Sequence, residues 1–458
     1  MTTKKEGKTI LVLRSVFQSD EWLQEEYGEL LRMLKEETGC GACVCAPDSA
    51  AEVRERAAAT DADTVLVATG GVESLFVELM PHLARDGRPL ALLADGRNNS
   101  LAAALEILTY LTAHQRVGRI VHAPTNAELI QSLLHPDASK AEEAALPEQP
   151  SEPEPECPTT TATTTTESIS QVLSGCRVAC VGRPSDWLIA SDVDREVLRS
   201  RYGVEVVDVP LETVVARYEG VAAERVEALA EAYLAHVAFV TEPARADIAR
   251  SLRLYAALRD LCAAERVCAL TVRCFDLVAR LGATACVALS MLNDEGVVAG
   301  CEGDMQALLT MLLARRLLRA PAFMANPSRA AARATVLAHC TVPRSMCTAL
   351  ALRSHFESGR GVAPQGTLPA GPAAPPYTLV KWGGAALDRA FVAEAPAVPV
   401  PDADHDEHLC RTQVTLALDA RPCLLARPIG NHHVLVAGPH AAALREFFHA
   451  HGVHVLSC

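Results

Sequence analysis

The first apolar run, "KTILVL" at residues 8–13, is short and unbroken, the pattern of a buried parallel strand. "EEYGELLRMLKEE" follows with its apolar residues at helical spacing. "DTVLVATGG" and "PLALLADGRNNS" repeat the strand-then-turn theme, "LAAALEILTYL" reads as another helix and "GRIVHA" as another strand. Strands alternating with helices predict βαβ units and a parallel sheet. Ligand-facing loops in such sheets leave the carboxyl ends of strands. That rule singles out Arg14, Ser15, Gly70, Gly71, Asn98 and Asn99, each of which also has a plain reading as turn chemistry.

Residues 136–168 break the pattern. "PEQPSEPEPECPTTTATTTTES" is rich in Pro, Glu and Thr with almost nothing to bury, which predicts a disordered linker after a first domain of residues 1–135. The alternation then restarts. "CRVACVG" and "VEVVDVP" read as strands, and "SDVDREVLRSRYG", "RVEALAEAYLAHV" and "ADIARSLRLYAALRDLCAAE" as helices. "VCALTVR" and "ACVALSMLNDEG" are apolar runs. "VVAGC" reads as a strand, followed by a helix over 305–319 and the short strand "AFMAN". This predicts a second α/β domain over residues 169–332. From residue 333 to 458 the runs "TVLAHCTVP", "APQGTLP", "YTLVKWGG", "AFVAEAPAV", "TQVTLALD", "CLLARPIG" and "NHHVLVAGP" are short, extended and separated by Pro, Gly and Asp. They predict an antiparallel sheet or barrel, with "HAAALREFFHAHG" as one late helix. The expected fold class is α/β: two Rossmann-like parallel-sheet α/β domains followed by a C-terminal antiparallel β-rich, barrel-like domain.

A chain of 458 residues, half of them hydrophobic, is too long for one ordinary core. No apolar run reaches the ~18 residues of a membrane helix, and "TILVL" is too short for a signal-peptide core. The reading is a cytoplasmic protein with no membrane partner. The net charge of −14 argues against nucleic acid, whose phosphates need a basic surface. Many of the 16 cysteines, among them Cys180, Cys268, Cys274 and Cys286, sit in apolar runs, as buried free thiols of a reducing compartment do. The densest group, Cys40, Cys43 and Cys45 in "GCGACVCAP", reads either as a metal site or as a turn into a short strand. A zinc site wants a second pair of ligands at a matching distance, and none stands out.

Polar residues collect at strand ends in the second half. In "VVAGCEGDMQALLTMLLARRLL", Asp304 precedes a helix and is either its N-cap or a catalytic acid. Glu302 ends an apolar strand, where a carboxylate without a partner is costly. It belongs either to a structural ion pair or to a metal. Asn326 in "FMANPS" is a turn residue or a ligand, and His339 in "VLAHC" a core histidine or a ligand. His355 and Glu357 share a face if extended, as a surface pair or as part of a site. In "GNHHV", with Asn431, His432 and His433, neighbouring strand residues point to opposite faces, so one histidine can face a site. Oxygen plus imidazole is the ligand mix of Mn²⁺ or Mg²⁺ rather than of structural zinc. Carboxylates beside such a cation suit proton abstraction next to a carbonyl.

The ordered set "TVRCFDL" (271–277), "LNDEGVVAGCEGD" (292–304), "FMANPS" (323–328), "VLAHCTVP" (336–343), "HFESGRGVAPQG" (355–366), "LCRTQV" (409–414) and "GNHHV" (430–434), with "RNNSLAAALEILTYL" and "VGRPSDWLIAS" earlier, resembles the L-fucose/L-arabinose isomerase superfamily, most closely its shorter fucose isomerase-like branch. The likeness runs from the first strand to the end, interrupted by the linker. It implies a three-domain, metal-dependent aldose–ketose isomerase acting on an L-fucose- or arabinose-like sugar through an enediol, with a divalent metal, usually Mn²⁺. It also implies a homo-oligomer, a trimer or hexamer, in which "RNNS" of one chain approaches a neighbour's site. Matched by position, Glu302 and Asp304 are the catalytic candidates. Glu302, Asn326, His339 and His433 are the metal ligands, with His432 in reserve. Arg14, Asn98, Asn99, Arg273, His355, Glu357, Asn431 and His432 contact the sugar. Asn326 stands where the family places its second acid, and an amide cannot act as a base. Either Asp304 or Glu357 substitutes, or the chemistry differs. The alternatives are an inactive sugar-binding or regulatory homologue and an epimerase or carbon–carbon lyase on the same scaffold.

Overall fold

The computed structural model describes residues 9–136, 167–400 and 405–456; residues 137–166, nearly all of the expected linker, lie outside the described residues. The first sheet contains β1 (Thr9–Leu13), β2 (Gly41–Cys45), β3 (Thr64–Val67), β4 (Leu90–Ala94) and β5 (Gly118–His122). All pairs are parallel and the order is β2-β1-β3-β4-β5. The helix Asp20–Thr38 begins where the Ser19 hydroxyl accepts from the Trp22 amide and ends at Gly39, whose φ of 70° suits glycine. It buries Leu23, Tyr27, Leu30 and Leu34, the stripe that its sequence spacing predicts.

The next strands are β6 (Arg177–Val181), β7 (Glu205–Val209), β8 (Phe239–Val240), β9 (Ala269–Val272) and β10 (Val298–Cys301). Four of them form a parallel sheet in the order β10-β9-β6-β7, while β8 pairs elsewhere. Counted from their own first strands, both parallel sheets run 2-1-3-4, and the second stops one strand earlier. The apolar run at 285–296 is the helix Cys286–Asp294.

The remaining strands are β11 (Ala322–Ala331), β12 (Ala334–His339), β13 (Ala349–Arg353), β14 (Ala363–Thr367), β15 (Tyr377–Gly383), β16 (Arg389–Ala395), β17 (Ala397–Val398), β18 (Thr412–Leu416), β19 (His433–Ala437) and β20 (His454–Leu456). Eight of them form a mostly antiparallel sheet, β17-β18-β12-β11-β19-β15-β16-β20, and β13 and β14 join β8 in a small sheet. Two details differ from the sequence reading. β11 pairs with β12 and β19, so "AFMAN" belongs to this sheet and not to the second parallel one. "CLLARPIG" is not extended: it enters a short helix, Arg421–Leu424, because Pro422 fits a first helical turn while Cys423 and Leu424 bury.

The eight-stranded sheet is the middle layer. Along β11, Phe323 and Ala325 pack with the first sheet while Ala322 and Met324 pack with the second. Along β19, Leu435 faces the first core and Val434 and Val436 the second. This is strand alternation used on both faces. The helix Ser100–Ala113 fills the space toward the first sheet, and Met305–Leu318 that toward the second. Both are apolar almost all round because both are covered all round.

Gly96, just past β4, sets how closely the first unit seats on β11. Its φ is +85°, and a Cβ there would lie 2.6 Å from the Ser328 carbonyl oxygen and 2.8 Å from Arg329 Cγ. Gly96→Ala should therefore lower stability by about 1–3 kcal/mol. Urea denaturation checks this; an unchanged midpoint would mean that the close approach does not constrain the fold.

Candidate active site

Glu302 leaves the end of β10 in a left-handed conformation (φ 63°), followed by Gly303 at φ 79°. A Cβ on Gly303 would sit 2.6 Å from Pro184 Cα, so the glycine lets the loop after β6 close over this turn. That loop holds Glu302 at two points. The Ser185 amide donates to the Glu302 carbonyl at 2.8 Å, and Trp187 Nε1 donates to Oε2 at 2.6 Å. Oε1 faces His432 Nε2 at 3.7 Å. Burial alone would raise the Glu302 pKa, but the nearby His432 charge, with His339 and the Trp187 hydrogen bond, holds it below the usual carboxylate value.

Asp304 resolves into a positioning residue. Its Oδ1 accepts from the Ala307 amide at 2.7 Å and caps the helix Met305–Leu318. Its Oδ2 lies 2.9 Å from His432 Nδ1 and 3.9 Å from Lys381 Nζ. Burial pushes Asp304 up, and Lys381 and His432 more than offset it, so the group is held low. Both oxygens are thus engaged within the protein, in the capping arrangement that is one of its two readings from the sequence. Burial would lower His432, but Glu302 and Asp304 raise it to about 10. His433 shares a face with Leu435, not with Glu302. Its Nδ1 bonds the Asn431 carbonyl at 2.7 Å, its ring meets Phe391 edge-on, and burial followed by the Lys381 charge lowers it to about 3. The metal role expected of His433 therefore does not fit its place in the fold; the histidine that faces Glu302 is His432.

His339 ends β12 with its Nδ1 3.0 Å from the Thr341 hydroxyl and its ring edge-on to His432. Burial and the His432 charge lower it to about 4, so it is neutral near pH 7. Asn326 lies beside a register shift in β11 between Pro327 and Arg329. Proline supplies no amide hydrogen there, and such bulges re-aim side chains. Asn326 Oδ1, Asn431 Oδ1 and His432 Nε2 are buried without a hydrogen-bond partner. One ligand atom each from Cys301, Glu302 and His339 lies within 4.8 Å of the other two. The unpartnered amide oxygens of Asn326 and Asn431 beside the Glu302 carboxylate and the neutral His339 imidazole are a donor set that fits a divalent cation.

A cavity of about 260 Å³ opens beside Glu302. Its walls come from the carboxyl ends of both parallel sheets. Ser15–Gln18 follow β1, Thr69–Gly71 follow β3, and Asn98 and Asn99 follow β4. Trp187 follows β6 and Phe275 follows β9, while Asn326, Glu357 and Asn431 come from the C-terminal part. Asn99 Nδ2 donates to Glu357 Oε1 at 2.6 Å, and Asn99 Oδ1 accepts from Asn326 Nδ2 at 3.3 Å. "RNNS", expected against a neighbouring copy, thus closes over the site of its own chain. Burial and the nearby Glu302 charge raise Glu357 to about 8. Glu73, in the same wall, is pushed well above its ordinary value by burial, then by Glu106 and Glu302.

Of the expected sugar-binding residues, His432 faces Glu302 from outside the cavity lining, and three others do not line the cavity either. Arg14 bonds Asp20 at 2.9 Å and the Gln18 carbonyl, shaping the loop after β1. Arg273 bonds Asp186, Asp276 and the Pro184 carbonyl, which positions the Trp187 loop. His355 bonds Ser358 and packs edge-on behind Phe275. In each case nearby groups take the polar atoms. The sequence reading passes over Trp187, Glu73, Glu106 and Lys381. Glu106 Oε1 accepts from the Ala190 amide at 2.7 Å; its Oε2 accepts from the Ser191 hydroxyl and, at 3.0 Å, from the Asn431 amide. Glu106 and Lys381 each stand as a lone charge in an apolar run, "LAAALEILTYL" and "YTLVKWGG", which is the signal that could have found them.

No protein-family model matches the chain. It is similar to a sulfoquinovose isomerase of Alkalicoccus urumqiensis, 32% identical over 153 residues that make up 33% of this chain and 34% of that protein. A sulfoquinovose isomerase of Clostridium sp. (strain MSTE9) is 35% identical over 77 residues, 17% of each chain. The matches span about a third and about a sixth of the relatives' lengths. Among solved structures, GanP, a glucose-galactose binding protein from Geobacillus stearothermophilus, aligns with a TM-score of 0.22 at 10% identity, covering 69% of this chain and 92% of that one, too slight a likeness to bear on the fold. Among the described residues, no helix is long and apolar enough to cross a membrane.

The Glu357 geometry makes stability depend on pH. Its proton is held to about 8 in the folded chain but is released near ~4.3 in an unfolded one. Between those values the unfolded state binds fewer protons, so stability falls as pH rises. Glu357→Gln keeps an oxygen for Asn99 and has no proton to lose. Thermal melts at pH 5 and pH 8 should show a smaller loss for the variant than for the wild type; equal losses would refute the raised value.

Proposed function

We propose that the chain is a metal-dependent aldose–ketose isomerase acting on a single uncharged sugar. The observation that carries this is the carboxyl pair at one cavity: Glu302 is held ionised and Glu357 is held protonated to about 8, beside donors that fit a divalent cation. Carboxyls driven apart in this way take opposite acid–base roles. The named activity of the two sulfoquinovose isomerases supports the isomerase class.

Glu302, His339 and His432 would hold the cation, which supplies Lewis acidity to a sugar carbonyl and its neighbouring hydroxyl. Glu302, fixed by Trp187, takes the proton from the carbon beside the carbonyl. Glu357, oriented by Asn99, delivers a proton on the other side of the enediol. The unpartnered amide oxygens of Asn326 and Asn431 accept from sugar hydroxyls, and Trp187 and Phe275 exclude water from one wall. The cavity is slightly smaller than the ~300–1,000 Å³ of drug-sized sites, which suits one sugar. Its walls carry Glu73, Glu302, Glu357 and Glu407 and, among the described residues, no Lys or Arg. Among the described residues the wall offers ionised Glu302 and Glu407 and no Lys or Arg to pair a sulfonate, which favours an uncharged substrate.

A second reading, a sugar-binding protein without turnover, draws on Asn326 replacing an acid. Glu357 supplies the missing acid. With added divalent metal and a panel of uncharged aldoses, the wild type should turn over. Glu302→Gln keeps the shape and should fold by circular dichroism, yet lose at least ~10²-fold in rate. Wild-type turnover in Glu302→Gln would sink the assignment; sugar binding without turnover in the wild type would establish the second reading.

A further inference from the structure

Cys301 stands directly before Glu302, and the left-handed turn after β10 gathers both side chains on one spot. A ligand atom from each of Cys301, Glu302 and His339 lies within 4.8 Å of the other two. His432 Nε2, fully buried and without a hydrogen-bond partner, is aimed at Glu302 Oε1 across 3.7 Å. That span is too long for a hydrogen bond. It is close to that of two ligands sharing one cation at about 2.0–2.2 Å each. The second nitrogen of each imidazole is already held, His432 Nδ1 by Asp304 and His339 Nδ1 by Thr341. Such partners are what orient metal-bound histidines.

We propose that Cys301 Sγ is a ligand of this cation, and that the site prefers zinc or cobalt(II) to manganese. This rests on the reading that the pocket holds a divalent cation. The three clustered donors are one thiolate, one carboxylate and one neutral imidazole, and His432 Nε2, once deprotonated, adds a fourth from beside Glu302, the number that suits tetrahedral coordination. Thiolate is soft and selects zinc and similar ions over manganese, which favours oxygen donors. On binding, the Cys301 S–H and His432 Nε2–H bonds break, both protons leave to solvent, and the freed sulfur and nitrogen lone pairs form the bonds to the cation; nothing is oxidised. The two negative ligands balance the 2+ charge, so the buried cluster is neutral. Cys274 Sγ lies 3.2 Å from Cys301 Sγ, and its S–H donates to the thiolate once that forms.

The test uses the full chain loaded with zinc and read by X-ray absorption at the zinc edge. A sulfur scatterer at about 2.3 Å is expected. A shell of nitrogen and oxygen alone would overturn the proposal while leaving a cation in the pocket. Failure to bind zinc, cobalt or manganese would overturn both this proposal and the reading beneath it. In the cobalt(II)-loaded chain a near-ultraviolet sulfur-to-cobalt charge-transfer band should appear, vanish in Cys301→Ser and persist in Cys274→Ala. The preference for zinc over manganese should fall about tenfold or more in Cys301→Ser. If that variant does not fold, the zinc-edge spectrum of the wild type decides alone.

Discussion

A carboxylate out of reach of water must find all its partners inside the protein, and the way Asp304 finds them determines the site. One oxygen caps the helix Met305–Leu318; the other holds the His432 ring and faces Lys381. The start of that helix and the orientation of the imidazole are therefore one constraint. His432 in turn lowers the pKa of Glu302; burial raises that of Glu106 on the helix Ser100–Ala113, and the Lys381 charge offsets part of that rise. A line of buried charge, Glu106, Lys381, Asp304, His432 and Glu302, runs from the first unit through the middle sheet to the second. Removing one partner from such a set leaves an uncompensated buried charge, typically about 3–5 kcal/mol.

That line crosses the molecule where the two parallel sheets point their carboxyl ends at each other. Each sheet supplies loops by the rule for open α/β sheets, but neither closes a site alone. The second sheet lacks a fifth strand because the chain crosses instead into the middle sheet as β11. The crossing is what places Asn326, at the bulge, opposite the turn of Glu302. Glu106 locks the arrangement by binding both the 190–191 loop and the turn that carries Asn431. Gly430 permits it, since a Cβ there would lie 2.9 Å from Glu106 Oε2.

The parallel strands were legible because a strand covered on both faces must be apolar throughout, and the turn residues marked their ends. "CLLARPIG" misled because the proline that starts the helical turn, Pro422, stands just before the apolar run and not within it. Glu302 was legible as acid where core should continue. His432 and His433 were not separable: a one-residue slip exchanges the faces of a strand. Which face meets the helix Met305–Leu318 is a tertiary fact. Arg14 and Arg273 stand at the strand ends the rule selects, but Asp20, Asp186 and Asp276 decide where they point. Glu106 and Lys381 could be found as lone charges; that they serve one another across 275 positions could not.

Asn326 shows why a missing acid need not mean missing chemistry. Its amide donates to Asn99, and Asn99 donates to Glu357. An aspartate at 326 could only accept, so Asn99 would have to turn its amide toward it and release Glu357. It would also add negative charge beside Glu302, whose field already raises Glu357. In the proposed chemistry the cavity holds one ionised and one protonated carboxyl, and the amide preserves that difference. On that proposal the second acid stands on the loop that carries Glu357 and not on the strand. The residue left at the old position orients the new one.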